Sequence, residues 1–306
     1  MGEALAAFAA PAGVRLEDAS CLSAHVVGAE LNVAIGLARL GVASAFAGAV
    51  GDDVWGRRVR RALAAEGVDA CALSTDDQRP TALLFKEGAA GGGLRVHYRR
   101  SGSAGAAYRG GETLERLARV ARGLHVTGIS LVVGAPLRAA CLAALRALPA
   151  AALFSFDLNV RRTLGPPPVW REALEAVLGR ADLVFATGEE LAVVGLAADS
   201  VAERLGARGG ALIVRGEAAE SEVHAAGAVE RVTAPAPGAP VLDVVGAGDA
   251  FAAAAIAMRL RGEPWRRAAL AGHLAGGAVV SRLGDYEGAP YASELEALLQ
   301  GGAVSR

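Results

Sequence analysis

What this 306-residue chain lacks narrows its function before any motif is read. Its three cysteines, Cys21, Cys71 and Cys141, are far apart and form no CxxC pair, so neither a disulfide framework nor a thiolate zinc site is indicated. No two of the five histidines have the HxxxH spacing that places zinc ligands on one helical face. There is no excess of positive charge: 31 basic against 32 acidic side chains give a formal charge of -1, which argues against nucleic acid as a partner. Lysine is almost absent, Lys86 being the single one. No uncharged apolar run approaches the ~20 residues that a membrane-spanning helix needs. The opening MGEALAAFAAPAG has no basic region, and Pro11 interrupts it, unlike a signal peptide. Together these absences predict a soluble, cytoplasmic protein with small-molecule partners and no role in membrane or nucleic-acid binding.

Hydrophobic residues make up 53% of the chain and aromatics only 5%. Much of the apolar content is alanine, which predicts closely packed helices and leaves no case for disorder. From about residue 115 onward, short apolar runs alternate with amphipathic stretches. LHVTG (124–128), ALFSFDLN (152–159), ADLVFA (181–186) and ALIVRG (211–216) read as buried strands. Residues 135–147, 170–179 and 189–205 carry apolar positions at helical spacing, and helices over 31–40 and 56–66, flanking ASAFAGAVG (43–51), extend the pattern toward the N-terminus. This alternation predicts an α/β fold with a mostly parallel sheet covered by helices on both faces. Two segments break it. Residues 80–107 read as a hairpin with a flexible glycine tip at 91–93, and residues 4–27 are similarly short-stranded. We therefore expect a single domain over 1–306. Its core spans 31–79 and 108–306, and a small β lid comes from about 4–30 and 80–107.

The sharpest local feature is LDVVGAGDAFAAAAIAM (242–258). Gly246 and Gly248 let the backbone turn tightly into an alanine-rich helix, so that successive amides and the helix dipole face an anion such as phosphate. Asp249 would repel that anion if binding were its only task. Beside an anion hole it suits proton removal from an attacking hydroxyl, while a plain helix-capping role remains open. A Walker A loop is excluded, because the only lysine is Lys86, in the hairpin segment. A dinucleotide fingerprint is excluded by Phe251 at its third glycine position and by the short chain remaining. In an open parallel sheet, ligands bind beyond the carboxyl ends of the strands. That edge would carry Asp157, Asn159, Glu190 and Arg215.

The motif DVVGAGDAF, with GAELNVAIGLARLG (28–41) and VGDDVWGRRV (50–59), resembles the signatures of the ribokinase-like (phosphofructokinase B type) carbohydrate kinases. YRRSGSAG (98–105), LHVTGIS (124–130), FDLNVRRTL (156–164) and GDYEGAPY (284–291) are most similar to the 2-keto-3-deoxygluconate kinases within that family. The resemblance implies a three-layer α/β/α core with a β lid, and ATP-dependent phosphorylation of a sugar's terminal hydroxyl. It implies Asp249 as catalytic base and the amides of Gly246, Ala247 and Gly248 as anion hole. Substrate contacts would come from Gly28, Asn32, Tyr98, Arg100, Arg161 and Asp285, and nucleotide contacts from Arg215, Gly216 and Gly248. Glu190 would order hydrated Mg2+ around the triphosphate of ATP. The resemblance also implies a homo-oligomer joined through the lid, whose exposed strand edges favour pairing.

An aldonic acid brings a carboxylate that a guanidinium fork recognises, which is the reason to single out Arg100 and Arg161. A solvated lid arginine stays open for Arg100, and a helix-cap role for Asn32. The family pattern is altered at Val27, Leu84, Thr187 and Ala219. The alternatives to a 2-keto-3-deoxygluconate kinase are a kinase of fructose or a related sugar acid, and a nucleotide- or sugar-binding homologue without turnover.

Overall fold

Alternating apolar residues on the central strands divide between two helical layers, and this sorting builds the core. The computed structural model describes residues 1–88, 93–217, 219–236 and 240–301. The glycines at 91 and 92, expected at a hairpin tip, lie outside those residues. In chain order the first half contains β1 (Leu5–Ala9), β2 (Ser23–Val27), α1 (Ala29–Arg39), β3 (Gly48–Gly51), α2 (Val54–Ala65), β4 (Leu73–Asp76), β5 (Ala82–Gly88), β6 (Leu94–Arg99) and α3 (Glu112–Val120). Then come β7 (Gly123–Thr127), α4 (Gly128–Val132), α5 (Ala135–Ala147), β8 (Leu153–Asp157), α6 (Pro167–Leu178), β9 (Leu183–Thr187), α7 (Gly188–Val194) and α8 (Ala198–Gly206). The last elements are β10 (Ala211–Arg215), β11 (Glu220–Ala225), β12 (Ala228–Thr233), α9 (Ala247–Leu260), α10 (Trp265–Val279) and α11 (Ala292–Leu299).

The main sheet has the order β12-β11-β10-β9-β8-β7. Strands β7 to β10 are parallel, and β11 and β12 close one edge as antiparallel neighbours. Along β9 and β10, Val184, Ala186 and Leu212 turn toward the layer that holds α3, α5, α6 and α8. Leu183, Phe185 and Ile213 turn toward α9 and α10 on the other face. Successive side chains on a strand point to opposite faces, so an apolar run of this kind needs helices on both sides. The result is the three-layer core expected from the pattern. One expected helix, over 189–205, is two. Gly195 adopts a left-handed conformation (φ 65°) that ends α7 before α8 begins. The β11–β12 hairpin has no counterpart among the sequence expectations.

A second, four-stranded sheet has the order β2-β1-β5-β6. Register pairs Leu84 with Tyr98 and Lys86 with Val96, so these side chains share one face. On that face Leu5, Ala7, Val27, Ala82 and Leu84 are buried together, and His25 and Ser23 share it toward the start of β2. Phe8 and Phe85 stack on the opposite face, where Trp55 of α2 meets Phe8 edge-on. A short parallel pair, β3 and β4, forms the remaining sheet.

Helix α9 is buried along most of its length, and its alanines allow close approach of α1. A Cβ on Gly36 would lie 2.7 Å from that of Ala253. One helical turn earlier on each helix stand Asn32 and Asp249, so the tight packing of α1 against α9 aligns these two polar residues.

Candidate active site

The N-termini of α1 and α9 open on a cleft of about 790 Å³ between the small sheet and the C-terminal ends of the main strands. Gly246, the N-cap of α9, has φ 84°. Any side chain there would overlap the main-chain oxygen of Asp285. The turn therefore needs glycine for both its backbone conformation and its packing. Among the described residues the amides of Gly248 and Asp249 have no main-chain acceptor, as expected for the first turn of a helix. Ala247 donates a long bond of 3.4 Å to the Val244 carbonyl, closing the turn. The free amides at the cleft are thus those of Gly246, Gly248 and Asp249, and Ala247 is not on the cleft wall.

Asp249 lines the cleft, partly open to it. Its Oδ2 accepts a 2.7 Å hydrogen bond from Asn32 Nδ2. Asn32 is not a cap: Gly28 caps α1, and Asn32 is buried one turn in, with Oδ1 lacking any partner among the described residues. Desolvation is the main influence on Asp249, and the charges of Asp285 and Asp157 add to it. Asn32 and Arg161 oppose them, and the outcome is a pKa pushed up to about 7. A free aspartate is a poor base; this one is poised near neutrality.

At the other end of the cleft, Arg215 donates two 2.8 Å bonds to Asp157 and lies 3.8 Å from Glu190. Burial works against the guanidinium charge, but the two carboxylates raise its pKa. Glu190 accepts the amides of Val160 and Thr187, each at 2.8 Å. Thr187 Oγ1 in turn accepts the Glu190 amide, so the threonine completes a capping box at α7. Desolvation and the neighbouring Asp157 raise the Glu190 pKa, while Arg215 and the amides hold it down. Gly216 is not on the cleft wall; its amide bonds to the Glu220 carbonyl. Nearby Ala219 has φ 58°, a left-handed conformation that a glycine would adopt without strain.

The remaining expected residues, Gly28, Tyr98, Arg100, Arg161 and Asp285, line the same cleft. Gly28 has φ 152°, and a Cβ there would overlap the Glu3 carbonyl. The Arg100 guanidinium sits 5.1 Å over the Tyr98 ring. It is not a solvated lid arginine: it is buried against Glu3, whose other oxygen accepts a 2.5 Å bond from Ser103. Arg161 is exposed, lines the cleft and has no acidic partner among the described residues. Asp285 lines the cleft with its Oδ1 bound by Lys86 at 2.6 Å. Val27 and Leu84 belong to the apolar face of the small sheet.

Sequence reasoning passed over Glu3, Glu30 and Lys86. Glu30 is buried and accepts bonds from Thr127 and Ser130. The signal for Lys86 was a charged residue two positions after Leu84, on the apolar face of an alternating strand.

Free amides at a helix start, a carboxylate beside them and a cleft walled by polar groups are an arrangement suited to moving a phosphoryl group to an alcohol. The model of the pfkB family carbohydrate kinases matches residues 2–292, and the chain belongs to that family. It is a carbohydrate kinase with a ribokinase-like fold. It is 31% identical over 304 residues to the 2-dehydro-3-deoxygluconokinase of Bacillus subtilis, covering 97% of this chain and 94% of that one. To the fructokinase of Klebsiella pneumoniae it is 34% identical, covering 88% and 90%. The crystal structure of a fructokinase with bound ATP from Xylella fastidiosa is 26% identical and superposes with a TM-score of 0.82, covering 98% of this chain and 97% of that one.

Proposed function

We propose that the protein transfers the γ-phosphoryl group of ATP to the terminal hydroxyl of 2-keto-3-deoxygluconate. The observation that carries this reading is Arg161. It is an exposed guanidinium on the cleft wall with no acidic partner among the described residues, and its charge is felt at Asp249. A sugar acid supplies the carboxylate that such a group recognises. The full-length relative of Bacillus subtilis supports the same substrate. Tyr98 and the apolar face of the small sheet would cover the carbon chain and exclude water, so that this sheet serves as a lid.

In this reading Asp249 accepts the proton of the attacking hydroxyl, held in line by Asn32. The Gly248 and Asp249 amides, with that of Gly246, take up charge on the migrating phosphoryl group. Such donors each contribute on the order of 3 kcal/mol in comparable enzymes. Phosphoryl transfer is loose, so alignment counts for more than basicity. Arg215 lies on the nucleotide side. Glu190, its carboxylate pinned by two amides, would hold hydrated Mg2+ through water, and the ion would supply positive charge to the phosphates.

A second reading, fructose as substrate, is favoured by the Glu3–Arg100 pair, which neutralises one of the two arginines at the sugar end, and by the fructokinase relative. Coupled ADP release on a panel of acidic and neutral sugars separates the two. The proposal predicts preference for the sugar acid and a rise of tenfold or more in its KM for Arg161→Ala. Fructose turnover unaffected by Arg161→Ala would establish the second reading instead.

A further inference from the structure

Lys86 is the single lysine of the chain, and it is buried, 4% exposed, on the cleft-facing side of β5. Its ammonium contacts Asp285 at 2.6 Å and Asp243 at 3.5 Å. Both residues adjoin the turn at Gly246. Asp243 Oδ1 accepts the Val245 amide at 2.9 Å, shaping the approach to Gly246. The main chain of Asp285 packs so closely on Gly246 that no side chain fits between them. Burial opposes the ammonium charge, and the two carboxylates outweigh it and raise the lysine pKa.

We infer that Lys86 is a positioning residue for phosphoryl transfer, tying the small sheet to both flanks of the Gly246 turn and neutralising two carboxylates that would otherwise repel the incoming phosphate. The inference rests on the Gly246 turn being the transfer site. An ammonium is a compact point charge that serves two acceptors at once from a flexible stem. Removing it would leave the buried Asp285 and the half-buried Asp243 uncompensated, so that they must take up protons, draw in water or move apart. Each response disturbs a turn whose amides must stay within hydrogen-bond range of the phosphoryl oxygens. Because Lys86 is carried by the sheet that covers the sugar end, that sheet and the phosphate-binding turn are ordered together.

The test compares Lys86→Met, Lys86→Arg and Lys86→Met/Asp243→Asn with the parent protein by steady-state kinetics and by hydrogen exchange of residues 240–250. Asparagine at 243 keeps the acceptor for the Val245 amide while removing the charge. The expected result for Lys86→Met is a fall in kcat of twentyfold or more with sugar KM changed less than threefold, and amide exchange in 240–250 at least tenfold faster. Lys86→Arg should retain at least a fifth of the parent kcat, and the double variant should recover at least fivefold over Lys86→Met. A purely structural lysine would lower thermal stability yet leave the kcat of the folded protein and the exchange of 240–250 unchanged. That result overturns the inference, as does a double variant no better than the single. Should the parent protein release no ADP with any sugar, the kinase reading fails on its own, and the exchange data still decide whether Lys86 orders the turn.

Discussion

Asp249 gathers three separate influences into one chemical property. Desolvation alone would favour the neutral acid, the Asn32 amide stabilises the ionised form, and the surrounding charges divide between both. Because its pKa is pushed up to about 7, the carboxylate needed to accept a proton is depleted as pH falls through that value. The rate constant kcat/KM for the sugar should therefore rise with unit slope in pH below about 7 and level off above it. A pH–rate profile flat from 5.5 to 8 would contradict this assignment of the base. The place of Asp249 in the first turn of a helix was legible because two glycines, an acid and an alanine run stand adjacent in the chain. Its pKa was not, since the charges that act on it, Asp285, Arg161 and Asp157, lie 36, 88 and 92 positions away in sequence. Arg100 and Asp285 illustrate the same limit. Each was legible as a polar residue of the sugar end, but their partners, Glu3 and Lys86, are fixed only by the folded sheet.

At the scale of elements, the close approach of α1 and α9 is what places Asn32 on Asp249. Gly36 and Ala253 are the small residues at the crossing, one turn from the polar pair. Gly36→Val would force the helices apart, at a cost of about 1–3 kcal/mol for overpacking. It should also lengthen the Asn32–Asp249 bond, so the melting temperature and kcat should fall together. Unchanged kcat in a destabilised variant would show that the helix spacing does not set the alignment. Strands β7 to β10 could be read from their apolar runs, since a strand buried on both faces has little else to encode. The β11–β12 hairpin could not: its residues alternate between buried and charged, and its exposed strand shows no continuous apolar run. The break between α7 and α8 rests on one left-handed glycine, which helical spacing on either side conceals.

For the whole molecule, the cleft exists because the small sheet presents one apolar face to the strand ends of the core. Its outer strands β2 and β6 are sheet edges within the chain, and unpaired edges are seldom left exposed. We propose that two copies associate through this sheet. Sedimentation equilibrium at micromolar concentration should then give twice the chain mass, and a monomer would refute the association without touching the chemistry. No described helix is long and apolar enough to cross a membrane. The overall architecture was legible because strand–helix alternation leaves few topologies open. The side on which each polar group is consumed or left free required the three-dimensional arrangement.

In the proposed mechanism, amides at the start of α9 hold the migrating phosphoryl group while Asp249 takes the proton of the acceptor. The most direct measurement is ADP release by the parent protein and by Asp249→Asn, with ATP affinity measured alongside. Turnover should fall by about 10²–10⁴-fold in the variant while ATP binds as before. A variant that keeps its turnover to within a few-fold of the parent would contradict the claim.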